Sequence, residues 1–162
     1  MPTPLLTAST RFTDQATTKI YWIPSIAATT LAPTRAELNA GTDVSGEVNG
    51  LKGWTVQAAQ IVTEDLTNPF EAKIPGSTTA PDSSITFYTS KTGSDIRTLL
   101  PRGTAGFIGF LDGGDVTGNK MECYPVVVTA NGVERSVNGS AASKVEVMFA
   151  ITKTPGQNIS VP

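Results

Sequence analysis

Lys144-Val145-Glu146-Val147-Met148-Phe149-Ala150-Ile151-Thr152 alternates large apolar residues with charged, flexible or small ones. A period of two is that of a β-strand buried on one face. The spacing predicts Val145, Val147, Phe149 and Ile151 on a core, and Lys144, Glu146 and Met148 facing away from it.

Working outward from this strand, the same logic finds others. Residues 120–129 read as a longer strand, closed by the turn dipeptide Asn131-Gly132. Residues 104–111, 84–89 and Lys19-Ile20-Tyr21-Trp22-Ile23 are β-branched and aromatic runs. Trp54-Thr55-Val56-Gln57-Ala58 alternates as a half-buried strand would. Residues 64–84 carry mostly loop signals, including Asn68-Pro69, Pro75-Gly76 and Pro81-Asp82, with room for a short strand at 70–74. Two short helices are predicted. The first follows Thr34, a capping residue with Glu37 at the spacing of a capping box, and stops at Gly41. The second follows Ser94 as N-cap, carries Asp95 in its first turn, and ends at Pro101 and Gly103. It places Ile96, Leu99 and Leu100 on one face, toward the sheet. The fold class is mainly β with one or two short flanking helices. A β domain spans 18–152 and contains the long loop 64–84; an N-terminal arm covers 1–17 and a C-terminal tail 153–162.

Composition narrows the chemistry. The 162 residues include no histidine, which removes imidazole acid–base catalysis, Ser-His-Asp triads and imidazole metal ligands. One cysteine allows neither an intrachain disulfide nor a cysteine-rich zinc site. Only 16% of residues are charged, against about 25% in typical soluble domains. Lys and Arg number 12 against 14 acids, a net charge of −2, so there is no basic footprint for gripping nucleic acid. No apolar run approaches the roughly 20 residues of a membrane span. The start, Met1-Pro2-Thr3-Pro4-Leu5-Leu6, lacks the basic region of a secretory signal, so synthesis in the cytoplasm is expected.

Local motifs return structural readings. Gly103, Gly106 and Gly109 recur every third residue inside a strand, which suits close backbone approach and not a dinucleotide fingerprint. Gly113 and Gly118 have phosphate-loop spacing, but Asn119 stands where that loop needs lysine. Asp112, Asp115 and Asn119 offer oxygen ligands for a cation in a turn, without the spacing of an EF-hand. Cys123 lies in an apolar strand as a buried thiol. Trp22 and Trp54 are core aromatics or, on the other reading, a sugar-stacking platform. No catalytic, metal or cofactor-binding residue is assigned. Low charge, weakly structured ends and a long loop suit a protein that buries its surface on copies of itself.

The chain resembles the major tail proteins, or tail tube proteins, of long-tailed bacteriophages, especially those infecting actinobacteria. The resemblance is carried by Ala32-Pro33-Thr34-Arg35-Ala36-Glu37-Leu38-Asn39-Ala40-Gly41-Thr42-Asp43 and by Arg102-Gly103-Thr104-Ala105-Gly106-Phe107-Ile108-Gly109-Phe110. Tyr124-Pro125-Val126 within the long strand, and the closing strand, complete it. It implies a β-sandwich or half-barrel whose inner strands complete a barrel across subunits. It also implies hexameric rings stacked into a tail tube that conducts double-stranded DNA without specific binding. Tape-measure, tail-terminator and baseplate proteins would be further partners, and the virion tail the location. Other readings are a capsid decoration or tail-completion protein, and a carbohydrate-binding β-sandwich.

On the tube reading, Leu5, Leu6, Phe70 and Ile74, in the arm and loop, are candidate subunit contacts. Glu64, Asp65, Glu122 and Glu146 are candidates for the lumen, or else pair with Lys120 and Lys144 across strands.

Overall fold

Val145, Val147 and Phe149 are buried while Met148 is 40% exposed, so the last long strand presents its two faces as its period requires. The computed structural model describes every residue except Met1, Pro2, Pro4, Asn68, Ser94 and Asn138. The strands are β1 (Lys19–Ile23), β2 (Thr42–Asp43), β3 (Val48–Lys52), β4 (Gln57–Thr63), β5 (Ala72–Thr79), β6 (Ser83–Tyr88), β7 (Ala105–Leu111), β8 (Lys120–Glu134), β9 (Lys144–Ile151) and β10 (Gly156–Ser160). The helices are α1 (Arg35–Asn39) and α2 (Ile96–Leu99). A large antiparallel sheet has the order β2-β1-β7-β8-β9-β6-β3, with β10 added to β8. Strands β4 and β5 pair only with each other.

The longest strand, β8, is the spine. One edge pairs with β7, from Ala105↔Val127 to Phe110↔Glu122. The other edge is shared end to end by β10, at Gly156↔Cys123, and β9, from Val126↔Ile151 to Glu134↔Lys144. Pro125 sits at the handover. Its carbonyl accepts the Thr152 N–H at 3.0 Å. The N–H that proline lacks would point to that same edge, where one partner strand has stopped, so a proline is tolerated inside a central strand.

The sheet is rolled. Its two edge strands, β2 and β3, are separated in sequence only by residues 44–47, which include a 3₁₀ turn over Ser45–Glu47. The edges therefore approach one another, and one face of the sheet wraps a core of Ile20, Trp22, Ile85, Phe87, Ile108, Tyr124, Val126, Val147 and Phe149. Helix α2 closes one end of the roll, with Ile96, Leu99 and Leu100 all packed on that core. Its N-cap is Asp95, whose carboxylate accepts the Arg97 N–H; Ser94, the predicted cap, lies outside the described residues. A smaller cluster on the outer face joins Ile23, Leu111 and Met121 to Leu38 of α1 and Val161.

The α1 capping box is complete: Thr34 Oγ1 accepts the Glu37 N–H and the Glu37 carboxylate accepts the Thr34 N–H. A Cβ on Gly106 would lie 2.5 Å from the Trp22 ring, which explains a glycine near the start of β7. Gly41, the expected helix stop, is instead needed for space. Ala40 is the C-cap, and a Cβ on Gly41 would meet the Trp22 carbonyl at 2.7 Å.

Four expectations are corrected. Residues 53–56 are not strand: Trp54 leaves the ladder to pack on the core, and the strand begins at Gln57. The long loop 64–84 holds most of a hairpin arm, because Pro75 and Gly76 lie within β5, opposite a register shift between Ala58 and Gln60. Asn131-Gly132 is not a turn. A bulge between Val128 and Ala130 lets β8 run on to Glu134, and the Asn131 side chain donates to the Leu100 carbonyl. The tail 153–162 contains β10 and ends with Val161 buried, because Ile159↔Met121 and Ser160↔Lys120 extend the sheet.

Candidate assembly surface

The hairpin β4–β5 buries almost nothing. Every β4 position is exposed, as is every β5 position except the half-buried Gly76. Ile61 stands opposite Ile74, and both are about half exposed. Leu66 near the tip is fully exposed and Phe70 is 73% exposed. A lone two-stranded hairpin is marginal in water. This one is anchored at its base by Trp54, whose ring packs edge-on against Phe110 and Tyr124 at centroid distances of 5.1 and 5.3 Å. The Trp54 Nε1–H donates to the Ser84 carbonyl at 3.1 Å. The Tyr124 hydroxyl lies 2.7 Å from Glu122 Oε2 and 3.0 Å from the Trp54 carbonyl, so its single proton serves one acceptor at a time. Burial, then Glu122, pushes that phenol up.

The N-terminal arm is equally bare. Leu5 and Leu6 are each 94% exposed, and every described residue from 3 to 16 is exposed. The four contact candidates Leu5, Leu6, Phe70 and Ile74 thus fall on two separate projections, the arm and the hairpin.

The four lumen candidates do not share a surface. Glu64 and Asp65 follow β4 toward the hairpin tip, where Asp65 accepts the Thr67 N–H and hydroxyl at 2.8 and 2.7 Å; these bonds lower its pKa. Glu146 is on the outer face of β9, opposite Val145 and Val147, and accepts the Ser84 hydroxyl at 2.8 Å. Glu122 alternates with Met121 and Cys123 and faces the inner side with Tyr124, at the open end of the roll. Among the described residues the ion pairs are Lys19–Asp43, Arg35–Asp115 and Arg97–Asp95, so neither Glu122 nor Glu146 is salt-bridged to Lys120 or Lys144. Lys120 donates instead to Ser160 Oγ.

Asp112, Asp115 and Asn119 do not converge. Asp115 takes both Arg35 guanidinium nitrogens, at 2.5 and 2.7 Å, and the Tyr21 hydroxyl at 3.1 Å; the Arg35 hydrogen bonds hold its carboxyl below the usual range. Asn119 donates to the Gly113 carbonyl. Asp112 is pushed up by partial burial and by the nearby Glu122 and Asp14. Cys123 is buried, and burial pushes its thiol up to about 12. Trp22 is 4% exposed and Trp54 is packed on the core, so neither forms a sugar platform.

Sequence reasoning missed one feature, the slot where the roll fails to close. Strand β3 pairs with β6 on one side. Its other side, with Ile20, Phe110 and the turn at 14–16, lines a cavity of about 510 Å³. A second cavity of about 280 Å³ shares Leu51, Phe110 and Asp112. Nothing local in the sequence marks the slot, because it arises from strand order.

The profile of the family described as phage tail tube protein matches residues 7–162. The comparison with curated proteins finds no match. Among solved structures, the chain is similar to one in the six-fold symmetrised anti-feeding prophage baseplate, at TM-score 0.51 and 7% identity, covering 94% of this chain and 95% of that one. It is also similar to a chain in the tail of an empty GTA particle, at TM-score 0.49 and 11% identity, covering 87% and 93%. An Hcp protein scores 0.37 at 12% identity, covering 83% and 87%.

Proposed function

Because the chain belongs to the phage tail tube protein family, we propose that it polymerises as hexameric rings stacked into the hollow tube through which double-stranded DNA reaches the host. The observation that carries this is the contrast between a filled core and two bare apolar projections, the arm and the hairpin. A monomer gains nothing from exposing Leu5, Leu6, Leu66 and Phe70, whereas a polymer buries them on its neighbours. The six-fold symmetry named for the baseplate structure above supports a ring of six.

The division into an arm at 1–17 and a body from 18 onward, with the β10 segment 153–162 joined to that body's sheet, belongs to the same proposal. So does a role without catalysis, in the virion tail after synthesis in the host cytoplasm, with tape-measure, tail-terminator and baseplate proteins as further partners. The lumen is passive: at a net charge of −2 per chain, the subunit has no overall attraction for the phosphates that would arrest the DNA. Of the acids, Glu146 on the outer sheet face is the one whose placement suits a lumen wall.

Electron microscopy of the purified full-length protein tests the reading. Long hollow tubes support it; isolated trimers or monomers at high concentration overturn it and favour a decoration or completion protein. In assembled virions, Glu146→Lys should leave tubes intact and slow DNA release. An unchanged ejection rate removes Glu146 from the lumen.

A further inference from the structure

We propose that the slot between β1 and β3 receives residues 5–13 of a second copy of the chain, added as a strand on the free edge of β3. The proposal rests on the self-assembly reading and supplies a contact it lacks. Among the described strands, β3 pairs with β6 alone, so its other edge presents backbone donors and acceptors with no ladder partner. Such an edge is a template for an incoming strand.

Beside that edge the slot has an apolar wall of Ile20, Val48, Leu51 and Phe110, with Leu51 half exposed, and a polar one that includes Asp14, Asn49 and Asp112. The arm has the matching form. Leu6, Ala8, Thr10 and Phe12 fall on one side of an extended chain, and Leu5, Thr7, Ser9 and Arg11 on the other. Leu6 and Phe12 are both uncovered in the single subunit. Nine extended residues span about 30 Å and the five of β3 about 16 Å, so the arm covers the edge with chain to spare.

Charge matches as well. Arg11 is the one charged residue between 3 and 13, and Asp14 and Asp112 line the slot. Asp112 is already crowded by Asp14 and Glu122, which an arriving guanidinium relieves. The arm also leaves its own subunit at the slot mouth, where the Thr17 and Thr18 N–H groups bond the Asp14 carbonyl at 3.1 and 2.9 Å. Each copy thus offers both a donor arm and an acceptor slot, so one kind of contact can link every copy to a neighbour.

Cross-linking between full-length variants that each carry one added cysteine tests this, with Cys123 buried and out of the way. Leu6→Cys and Leu51→Cys proteins are mixed, allowed to assemble, oxidised, and run on a non-reducing gel. A mixed disulfide dimer at several times the yield of either variant alone is the expected result, and Arg11→Glu in the Leu6→Cys chain should reduce that yield several-fold. Three results overturn the proposal: no mixed product; an intrachain link in the Leu6→Cys/Leu51→Cys double variant, which means a chain's own arm fills its slot; or preferential linking of Leu51→Cys to Leu66→Cys, which makes the hairpin the occupant. Tubes by microscopy without the mixed link leave the tube reading intact and remove the slot contact. The mixed link without tubes does the reverse.

Discussion

Strands β5 and β6 are close neighbours in the chain and both are antiparallel, yet one buries side chains at four of its six positions and the other has none buried. Ile85 and Phe87 of β6 lie in the core with Val145, Val147 and Phe149 of β9 beside them. Ile74 of β5 has Ile61 across the ladder and no sheet behind it. β6 has Ile85, Phe87 and Tyr88 where β5 has one large apolar residue, Ile74, beside Lys73, Pro75 and Gly76. The further difference is whether this chain supplies the second layer. The rolled sheet is complete within one subunit; the hairpin is half of a contact whose other half lies elsewhere.

The sharpest break of that comparison is Phe149→Asp. An unpaired carboxylate in the core should cost several kcal/mol and leave no soluble folded protein, read by far-UV circular dichroism. The same replacement at Ile74 should change monomer stability by no more than about 0.5–1 kcal/mol, the scale of one cross-strand pair. It should nevertheless lower tube yield strongly. If Ile74→Asp unfolds the subunit, the hairpin is part of the core after all.

Gly106→Ala should cost about 1–3 kcal/mol, because the new methyl enters the Trp22 ring and the core is already full. A thermal melt reads this as a drop of several degrees for a chain of this size. An alanine at Gly132, whose Cβ meets nothing within 4 Å, is the control and should melt as the parent does.

Acid separates the regions in another way. The Arg97 guanidinium, with the Arg97 and Ser90 N–H groups, holds the Asp95 carboxyl down at about 2. A depressed carboxylate stabilises the fold fully above its unfolded value, near 4, and loses that contribution as pH falls through about 2. Stability of the roll should therefore decline across that window, and Asp95→Asn should flatten the decline while lowering stability at neutral pH. Denaturant titrations at pH 2, 3 and 6 measure both. The smallest effect expected is Glu146→Gln, which keeps an acceptor for the Ser84 hydroxyl and should cost less than about 1 kcal/mol in the same titration.

Much of the roll was legible because its strands obey a period set by their own burial. The alternation in β9, the β-branched runs of β1 and β7, and the Thr34–Glu37 box all name their structure locally. The failures have a common physical form: tertiary context reassigns a residue whose local signal is honest. Asn131 and Gly132 would turn a free chain, but β9 offers eight residues of ladder, and a bulge absorbs the mismatch. Pro75 reads as loop, but on a two-stranded ribbon a missing N–H costs little. Trp54 alternates like a strand residue, but an indole that can touch Phe110, Tyr124 and Phe149 leaves the ladder for them. For the assembly surface, the sequence could nominate the arm and the hairpin from weak secondary-structure signals. It could not separate Glu122 from Glu146, because which face a glutamate occupies depends on the strand's orientation in the roll.

The pairing of β1 with β7, Lys19 opposite Leu111, has a temporal consequence. A ribosome adding about 5–20 residues per second takes roughly 4–18 s to travel from the end of β1 to the end of β7. For that interval Ile20, Trp22 and Ile23 have only the two residues of β2 as a ladder partner. The hairpin β4–β5 finds its ladder partner sooner, but it stays marginal until Trp54 can pack on Phe110 and Tyr124. Hairpin and core are therefore secured together, once β7 and β8 have been made, and until then the tryptophan strand is the segment most in need of protection by a chaperone.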